Sequence, residues 1–497
     1  MNDMMKTGIF AGAAVVLALL AGLTSPGSPK AAIFREQGQP FFPDFKDPFA
    51  ATSLQVVEYD AAESGAAVFK VEFKAGRWVI PSHHDYPADA KDRLAKTATS
   101  VMGIRKESIR STRKEDHAAC GVIDPEDASS ADPKDRGRRI TLRDGSGNVL
   151  ADLIIGRKAD AEGSRWFVRV PDQKFVYAVS MAVDLSTKFS DWIETDLLQI
   201  DPATIWGLTM KNYSVKEDAR AAQLVPGETW TAEKPREEWT TEGLAADEEV
   251  SSAVVGTMTS TLKDLKIAGV RKKPEALTRD LKKNKMVAAN EAVFYDLMNR
   301  GFFMAEDGLY SKEGELEARC ADGVVYVLRF GSVFTGSGLA LTSGEEEKKE
   351  PGKEEKKDPP ATGTESRYLM ITVRFDENAV QPEQMGDPPK PGFRVDTKPW
   401  SIWRIQQLDE DRQKRFDEAT KAWQKAISAA SKGYNTRKEA GEKRAKQLTE
   451  RFADWYYVIG ADAFGKLHIA RKDLVKGKGK PAGPELPGGE DDPHEPH

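Results

Sequence analysis

The pattern of hydrophobic and polar positions changes several times along the chain. From residue 54 onwards, stretches such as LQVVEYD and VFKVEFK alternate between apolar and polar residues, and this period of two predicts β-strands. Apolar residues between Leu94 and Ile104 instead follow helical spacing, which predicts an amphipathic helix. The stretch RITLRDGSGNVLADLIIG follows, and its Gly-rich turn between two apolar runs predicts a β-hairpin. The first part of the chain therefore predicts antiparallel strands with one covering helix.

The same order of features occurs a second time. Strand-like stretches with tryptophans near their turns precede a predicted helix at Asp247–Leu265, and LEARCADGVVYVLRFG then repeats the hairpin pattern. Gly156 and Gly331 end the second strand of each hairpin, and aromatic strands containing Trp166 and Tyr368 follow. A repeat of this length indicates a duplicated domain rather than a solenoid.

We therefore predict two related α+β modules, at residues 51–203 and 204–378. The second contains a charged low-complexity insert at 341–366, whose composition cannot bury a core. Residues 379–475 are predicted to form a charged helical segment followed by C-terminal strands. Lys432–Gly433 either breaks this segment into an antiparallel pair or lies within one long helix. The tail at 476–497 has the composition of a disordered segment.

The N-terminus carries a different pattern. Gly8–Leu23 is apolar, and sixteen helical residues span about 24 Å, against a hydrocarbon core of ~30 Å. A transmembrane or signal anchor at residues 1–25, inserted through residues 7–25, and a cleaved signal peptide are both open interpretations. The poor cleavage site favours the retained anchor, and residues 26–50 are predicted to form a tether. Both interpretations place the bulk of the chain outside the cytoplasm, and the first makes it a single-pass membrane protein.

Composition and charge exclude some functions. The chain has 497 residues and a net charge of −6, without the clustered basic residues that nucleic-acid binding requires. Cys120 and Cys320 lie far apart in the sequence and match neither a zinc site nor a C-x-x-C redox pair. A disulfide between them is possible outside the cytoplasm, but two buried free thiols are favoured.

No catalytic or metal-binding pattern is found. His83-His84-Asp85 is the one histidine cluster, and we predict a surface loop there, because adjacent strand residues point to opposite faces. The Gly-x-Gly motifs at 145–147 and 336–338 lack the strand–turn–helix context of a phosphate loop. We therefore predict no catalytic residue, cofactor or metal, and a protein that is not an enzyme. The predicted structural residues are Gly156, Gly331, Trp78, Trp166, Tyr368 and Trp192.

The stretch RITLRDGSGNVLADLIIG…RWFVRVPDQKFVYAVS…FSDWIETDLLQI resembles DUF4340, a family of bacterial envelope proteins of unknown function. FADWYYVIG and the charged helix before it resemble the large planctomycete-type members. The resemblance extends over most of residues 54–470 and implies a membrane-anchored extracytoplasmic protein. It also implies association with ABC-type complexes of the gliding-motility or auxiliary-transport kind. The family supplies no catalytic residue that could be transferred to this chain.

Together these features predict an α+β fold. It consists of two related modules of antiparallel strands with a covering helix, a charged helical C-terminal segment and one N-terminal membrane helix. The expected function is a scaffold or accessory protein for an integral-membrane complex. The alternative is a glycan-binding module that uses exposed tryptophans, with candidates Trp192, Trp206, Trp230, Trp239, Trp400, Trp403, Trp423 and Trp455.

Overall fold

The chain divides into two compact units, Met1–Ile193 and Glu194–His497. Our predicted boundary after residue 203 lies inside the second unit. The computed structural model describes residues 3–24, 37–60, 65–127, 132–160, 164–182, 185–217, 222–283, 290–305, 307–334, 336, 341–343, 365–381, 388–390 and 402–478.

The first unit is built on one antiparallel sheet, in the order β4-β3-β2-β1-β6-β7-β8-β9-β5. The alternating stretches form its first two strands, and DGSGN forms the predicted turn, where the Asp144 carboxylate accepts hydrogen bonds from the backbone of Ser146 and Asn148. The strands are β1 (Ser53–Asp60), β2 (Gly65–Lys74), β3 (Arg77–Ile80), β4 (Tyr86–Pro87), β5 (Ser108–Ser111), β6 (Arg138–Arg143), β7 (Val149–Lys158), β8 (Arg165–Arg169) and β9 (Val176–Ser180).

The second unit contains a larger set of strands. Its main sheet has the order β14-β13-β10-β19-β20-β21-β22-β16, and three strand pairs lie outside it. The strands are β10 (Ile205–Lys211), β11 (Ser214–Glu217), β12 (Ala222–Val225), β13 (Thr229–Glu233), β14 (Thr240–Thr241), β15 (Glu248–Val250), β16 (Gly269–Lys272), β17 (Phe302–Ala305), β18 (Gly308–Ser311), β19 (Glu315–Cys320), β20 (Asp322–Phe334), β21 (Ser366–Val380), β22 (Trp455–Gly460) and β23 (Val475–Gly477).

Helices of very different length accompany the sheets. The predicted stripe of the first covering helix is confirmed, because Leu94, Thr97, Ala98 and Val101 are all buried. The α-helices are α1 (Asp3–Thr24), α2 (Lys91–Met102), α3 (His117–Cys120), α4 (Ser252–Lys263), α5 (Glu275–Lys282), α6 (Glu291–Asn299), α7 (Ile402–Ala453), α8 (Ala461–Leu467) and α9 (Arg471–Leu474). The 3-10 turns are Pro48–Ala50, Pro81–His83, Lys114–Asp116, Pro133–Asp135, Phe189–Asp191 and Pro202–Thr204.

Helix α1 covers the apolar stretch from which we predicted a membrane anchor. Within the described ranges, however, no helix is both long enough and apolar enough to cross a membrane. The prediction of an N-terminal membrane helix is therefore not supported.

The two main sheets share one strand order. The run β3-β2-β1-β6-β7-β8-β9-β5 of the first corresponds, strand by strand, to the whole order of the second. In each unit the strand that follows the covering helix, β5 or β16, lies at the far edge beside the last strand. The register also shifts at matching places, between Ile155 and Lys158 in one sheet and between Phe330 and Val333 in the other. The α+β fold with antiparallel sheets is thus confirmed.

Several predicted boundaries need correction. Helix α4 begins at Ser252 rather than Asp247, because Glu248–Val250 instead pairs with β23 as a strand. The stretch FADWYYVIG supplies β22, which lies between β21 and the edge strand β16, so the second sheet extends beyond the predicted boundary at residue 378. Most of the predicted insert 341–366, and the tail beyond residue 478, lie outside the described residues.

The charged C-terminal segment is one helix. Helix α7 is 52 residues long, which corresponds to about 78 Å at 1.5 Å per residue. Lys432–Gly433 lies within it, so the alternative of an antiparallel pair is excluded. Among the side chains of α7 that the structure describes, the buried ones lie in its last part: Gly441, Ala445, Leu448, Phe452 and Ala453.

Candidate functional site

The best-formed cleft of the described residues lies in the second unit and has a volume of about 1040 Å³. Strands β10, β19, β20 and β21 form its floor. The β17–β18 hairpin, the end of α5 and the end of α7 contribute further lining residues. The volume matches the upper range of small-molecule sites, ~300–1,000 Å³, so a ligand of substantial size could enter.

Charged side chains from four neighbouring strands cross the floor of the cleft as a ladder, which we call the charge ladder: Lys211, Glu315, Glu317, Arg329 and Arg374. The Lys211 amine lies 2.7 Å from Glu315 and 2.8 Å from Glu317. Arg329 lies 2.9 Å from Glu315, and Arg374 lies 3.1 Å from Glu317. Each carboxylate is therefore shared by two cations.

This sharing keeps the charge ladder ionised. Burial would lower the pKa of Lys211, but its hydrogen bonds to Glu315 and Glu317 outweigh burial and raise it. Burial would raise the pKa of Glu317, but its hydrogen bonds and charge contacts with Lys211 and Arg374 lower it. Groups held in this way are poor proton donors or acceptors near neutral pH, so the charge ladder is suited to binding rather than to acid–base chemistry.

The β17–β18 hairpin that forms one wall is tied down by tyrosines. The Tyr213 hydroxyl accepts a hydrogen bond from the Ser311 backbone N–H at 3.3 Å, and the Ser311 hydroxyl donates to the Gly314 carbonyl at 2.6 Å. At the other end of β18, the Tyr310 hydroxyl donates to Asp307 at 2.6 Å. The rings of Tyr213 and Tyr310 meet edge to face at 5.3 Å. These contacts fix the position of the wall over the floor.

A buried lysine lies beside the end of α7. Lys273 is 3% exposed, and its amine donates to the Phe452 carbonyl at 3.0 Å and lies 5.2 Å from the Tyr456 ring centre. Burial lowers the pKa of Lys273 to about 7, although Asp454 and Asp296 act in the opposite direction. The neighbouring Tyr456 hydroxyl donates to Asp296 at 2.8 Å. This cluster joins α6, α7 and the sheet.

The predicted glycines occupy matching positions. Gly156 lies beneath the turn after α3, where a Cβ atom would overlap the backbone carbonyls of Cys120 and Gly121. Gly331 lies beneath the turn after α6, where a Cβ atom would overlap the Arg300 carbonyl. Both positions coincide with the matched register shifts, so each glycine permits a helix end to cross the sheet.

The predicted aromatic residues have structural surroundings. Trp78 is half-buried and meets Phe73 edge to face at 5.4 Å. Trp166 lies beneath the Lys158 amine, and Tyr368 lies beneath the Arg300 guanidinium. Trp192 is fully buried and donates to the Ser186 carbonyl at 2.9 Å. None of these predicted structural residues is among the described residues that line the cleft.

The prediction for the histidine cluster is partly wrong, and the prediction for the cysteines is confirmed. His83 is 2% exposed and stacks on Phe189 at 4.5 Å, so the predicted surface loop is wrong for this residue, although His84 is exposed. The His83 ring packs against the hydrophobic core beneath the 3-10 turn. Cys120 and Cys320 are both free and buried, as the favoured interpretation predicted.

The tryptophans provide little surface for stacking on sugars. Trp192, Trp230 and Trp455 are buried, and Trp206 is half-buried with its indole N–H bonded to the Ala379 carbonyl. Trp239 and Trp423 are also half-buried. Trp400 lies outside the described residues, as does the side chain of Trp403.

The charge ladder was not predicted from the sequence. The available signal was the position of charged residues within otherwise apolar strands, as in ELEARC and YVLRFG, where alternate residues share a face. Which of these charges pair with each other depends on strand order, because Lys211 and Glu315 are 104 residues apart in the chain.

One known family matches a region that includes parts of both units. Residues 78–284 match the model of a family described as Domain of unknown function (DUF4340). This region is a DUF4340 domain. The resemblance predicted from the sequence is therefore confirmed, over about two fifths of the chain. The DUF4340 region begins in β3 of the first unit and ends just after α5 of the second. It includes Gly156, Lys211 and Lys273 but ends before Glu315. No curated protein and no solved structure matches the chain.

Proposed function

We propose that the protein is a non-enzymatic scaffold or accessory protein that works outside the cytoplasm, beside an integral-membrane complex such as an ABC-type transporter. The observation that supports this most is helix α7. It is inserted between β21 and β22, whereas the equivalent strands β8 and β9 of the first unit are joined by a short turn. A long element added to a repeated fold is a natural site for binding a partner.

The first part of α7 has the surface of an interaction element. Among the side chains described from Glu410 to Ala440, none is buried. Phe416, Thr420, Trp423 and Ala430 are half-buried along one side of the helix, at the three- and four-residue spacing of a coiled-coil seam. Ile427 lies on the same side and is 37% exposed. Helices present such seams to partner helices.

We also infer that the two units are copies of one module. The shared strand order supports a common origin, as do the matched register shifts and the matched glycines Gly156 and Gly331. In this proposal the copies diverged through insertions. One follows β20, and the other is α7. A rigid repeated core with variable insertions suits a scaffold.

The location outside the cytoplasm is proposed from the sequence. The stretch Gly8–Leu23 is apolar and uncharged, which is the composition of the apolar segments that direct export. Attachment to the inner membrane then comes from this segment or from the partner. Extraction of membranes with alkaline carbonate separates these possibilities, because a protein held only by a partner is released.

Crosslinking in cells, followed by purification of the full chain, tests the partner proposal. We expect an integral-membrane protein to be recovered repeatedly. Ile427→Glu should abolish its recovery, because a charge on the seam of α7 opposes helix packing. Ala429→Glu is the matched control, since this exposed residue lies on the opposite side of the same helix and the substitution adds the same charge. Recovery of the protein alone, or equal recovery with both variants, would contradict the proposal.

A further inference from the structure

The cleft in the second unit has two chemically different halves. Leu281, Met304 and Leu309 form an apolar wall that continues into the hydrophobic cluster around Phe302. The charge ladder runs along the floor of the same cleft. A ligand that fills the cleft must therefore have an apolar part and a charged part.

The sign of the charge on the ligand follows from the depth of the ladder residues. The carboxylates are the inner layer, with Glu315 8% exposed and Glu317 16% exposed. Two of the three cations form the outer layer, with Lys211 37% exposed and Arg374 46% exposed, whereas Arg329, at 16% exposed, lies as deep as the carboxylates. A ligand approaching from solvent meets the ammonium and guanidinium groups first.

Other acidic groups near the cleft do not reverse this order. Asp376 lies 3.0 Å from Arg374 and shares that guanidinium with Glu317. Asp307, at the tip of the β17–β18 hairpin, accepts the hydroxyl hydrogen bond of Tyr310. Lys211 has ion pairs only with the two inner carboxylates, among the pairs found in the described residues. The outer layer therefore remains cationic at Lys211.

We propose that this cleft binds an anionic amphiphile, whose carboxylate or phosphate group contacts Lys211 and Arg374 and whose hydrocarbon chain lies against the apolar wall. The hydrocarbon contributes affinity through burial of apolar surface, and the cations select the sign of the head group. A free fatty acid and an anionic phospholipid share this chemistry. The proposal is independent of the partner bound by α7.

The experiment is isothermal titration of the purified protein with sodium dodecanoate, below its micellar concentration. We expect saturable binding with one ligand per chain. Butyrate, which lacks the long chain, and dodecyltrimethylammonium, which carries the opposite charge, should bind at least about tenfold more weakly.

The charge ladder permits substitutions that preserve the fold. Arg374→Gln leaves Glu317 paired with Lys211, and Lys211→Gln leaves Glu315 paired with Arg329. Each should weaken dodecanoate binding by about tenfold, because one charge-assisted hydrogen bond to the head group is lost. Arg165→Gln is the matched control, since Arg165 pairs with Asp160 at the surface of the other unit and is 45% exposed. It should leave binding unchanged.

A parallel arm distinguishes the two sources of the ligand. If the protein sediments with phosphatidylglycerol vesicles and the Arg374→Gln variant does not, membrane lipid is the source of the ligand. Binding of monomeric dodecanoate without vesicle binding would identify a free amphiphile. Absence of saturable dodecanoate binding, or equal affinity for dodecyltrimethylammonium, would overturn the proposal.

Discussion

Gly331 lies directly beneath the carbonyl group of Arg300, at a distance that leaves no room for a Cβ atom. The same relationship joins Gly156 and Cys120 in the first unit. In both units a short turn after a helix crosses the second strand of the central hairpin, and both turns contain a glycine of positive φ, Gly121 or Gly301. The repeated Gly of ADLIIG and YVLRFG therefore marks a crossing point of two segments.

Replacing either crossing glycine should destabilise its own unit. We expect Gly156→Ala and Gly331→Ala each to lower the free energy of unfolding by about 1–3 kcal/mol, because the new methyl group overlaps backbone that cannot move freely. Urea denaturation measures the change. Gly256→Ala is the control, since its position in α4 is open and alanine favours helix by ~0.5–1 kcal/mol. Equal changes in the free energy of unfolding at all three positions would contradict the close approach of backbone at Gly156 and Gly331.

The buried Lys273 should make stability depend on alkaline pH. Its pKa is about 7 in the folded chain and 10.5 as an unperturbed group, so the unfolded chain binds one more proton between these values. Its contribution to the free energy of unfolding therefore rises with pH across this window, by up to ~1.4 kcal/mol per pH unit. The nearby charges are Asp454, Asp296 and Arg329, and burial outweighs them.

We expect Lys273→Met to remove this rise, as measured by urea denaturation at pH values between 7 and 9.5. The variant should be more stable than the natural chain at pH 7, and the difference should shrink as pH increases. Lys438→Met is the control, because Lys438 is a surface residue paired with Glu377. Parallel curves for the natural chain and Lys273→Met would show that the amine is not held in a buried, neutral form.

The charge ladder should contribute to stability in an acid-sensitive way. The pKa of Glu317 is lowered from 4.5, so its contribution is fully present above that value and is lost as the pH falls through the folded-state pKa. We expect Glu317→Gln to cost about 2 kcal/mol at pH 7 and to cost little at pH 2.5. Glu233→Gln, which removes an exposed partner of Arg319, should cost ~0–1 kcal/mol. A cost for Glu317→Gln that does not depend on pH would argue against an ion-pair contribution.

The two thiols should be protected in the folded protein. Burial raises the pKa of Cys320 to about 12 and also raises the pKa of Cys120. Because the thiolate is the reactive form, we expect neither to be alkylated by iodoacetamide at pH 8 within the time in which both react in urea. Mass spectrometry counts the labels, and Cys320→Ser should reduce the count in urea from two to one. Rapid labelling of the folded chain would contradict their burial.

Local patterns predicted much of the fold correctly. The alternation in β1 and β2, the turn at DGSGN and the stripe of α2 depend on neighbours within a few residues, so the sequence shows them directly. The start of α4 was misplaced because Val250 fits both a helix stripe and a strand. Only the pairing of Glu248–Val250 with β23, more than 200 residues later, decides between them.

The candidate cleft, in contrast, could not be predicted from local patterns. The chain order of Lys211, Glu315, Glu317, Arg329 and Arg374 does not reveal that they form one ladder, because their strands become neighbours only in the folded sheet. His83 shows the same limit, since its polar neighbours in the sequence suggested a surface loop while its contact with Phe189 buries it.

By itself, the sequence determined the strand and helix content, the repeated hairpin and the resemblance to DUF4340, because these depend on local periodicity and on turn residues. Tertiary structure alone decided that β22 joins the second sheet, that Gly331 lies beneath Arg300 and that five charged residues form one ladder. The physical reason is that sheet neighbours are chosen by burial and hydrogen bonding between segments far apart in the chain. A local pattern does not specify those partners.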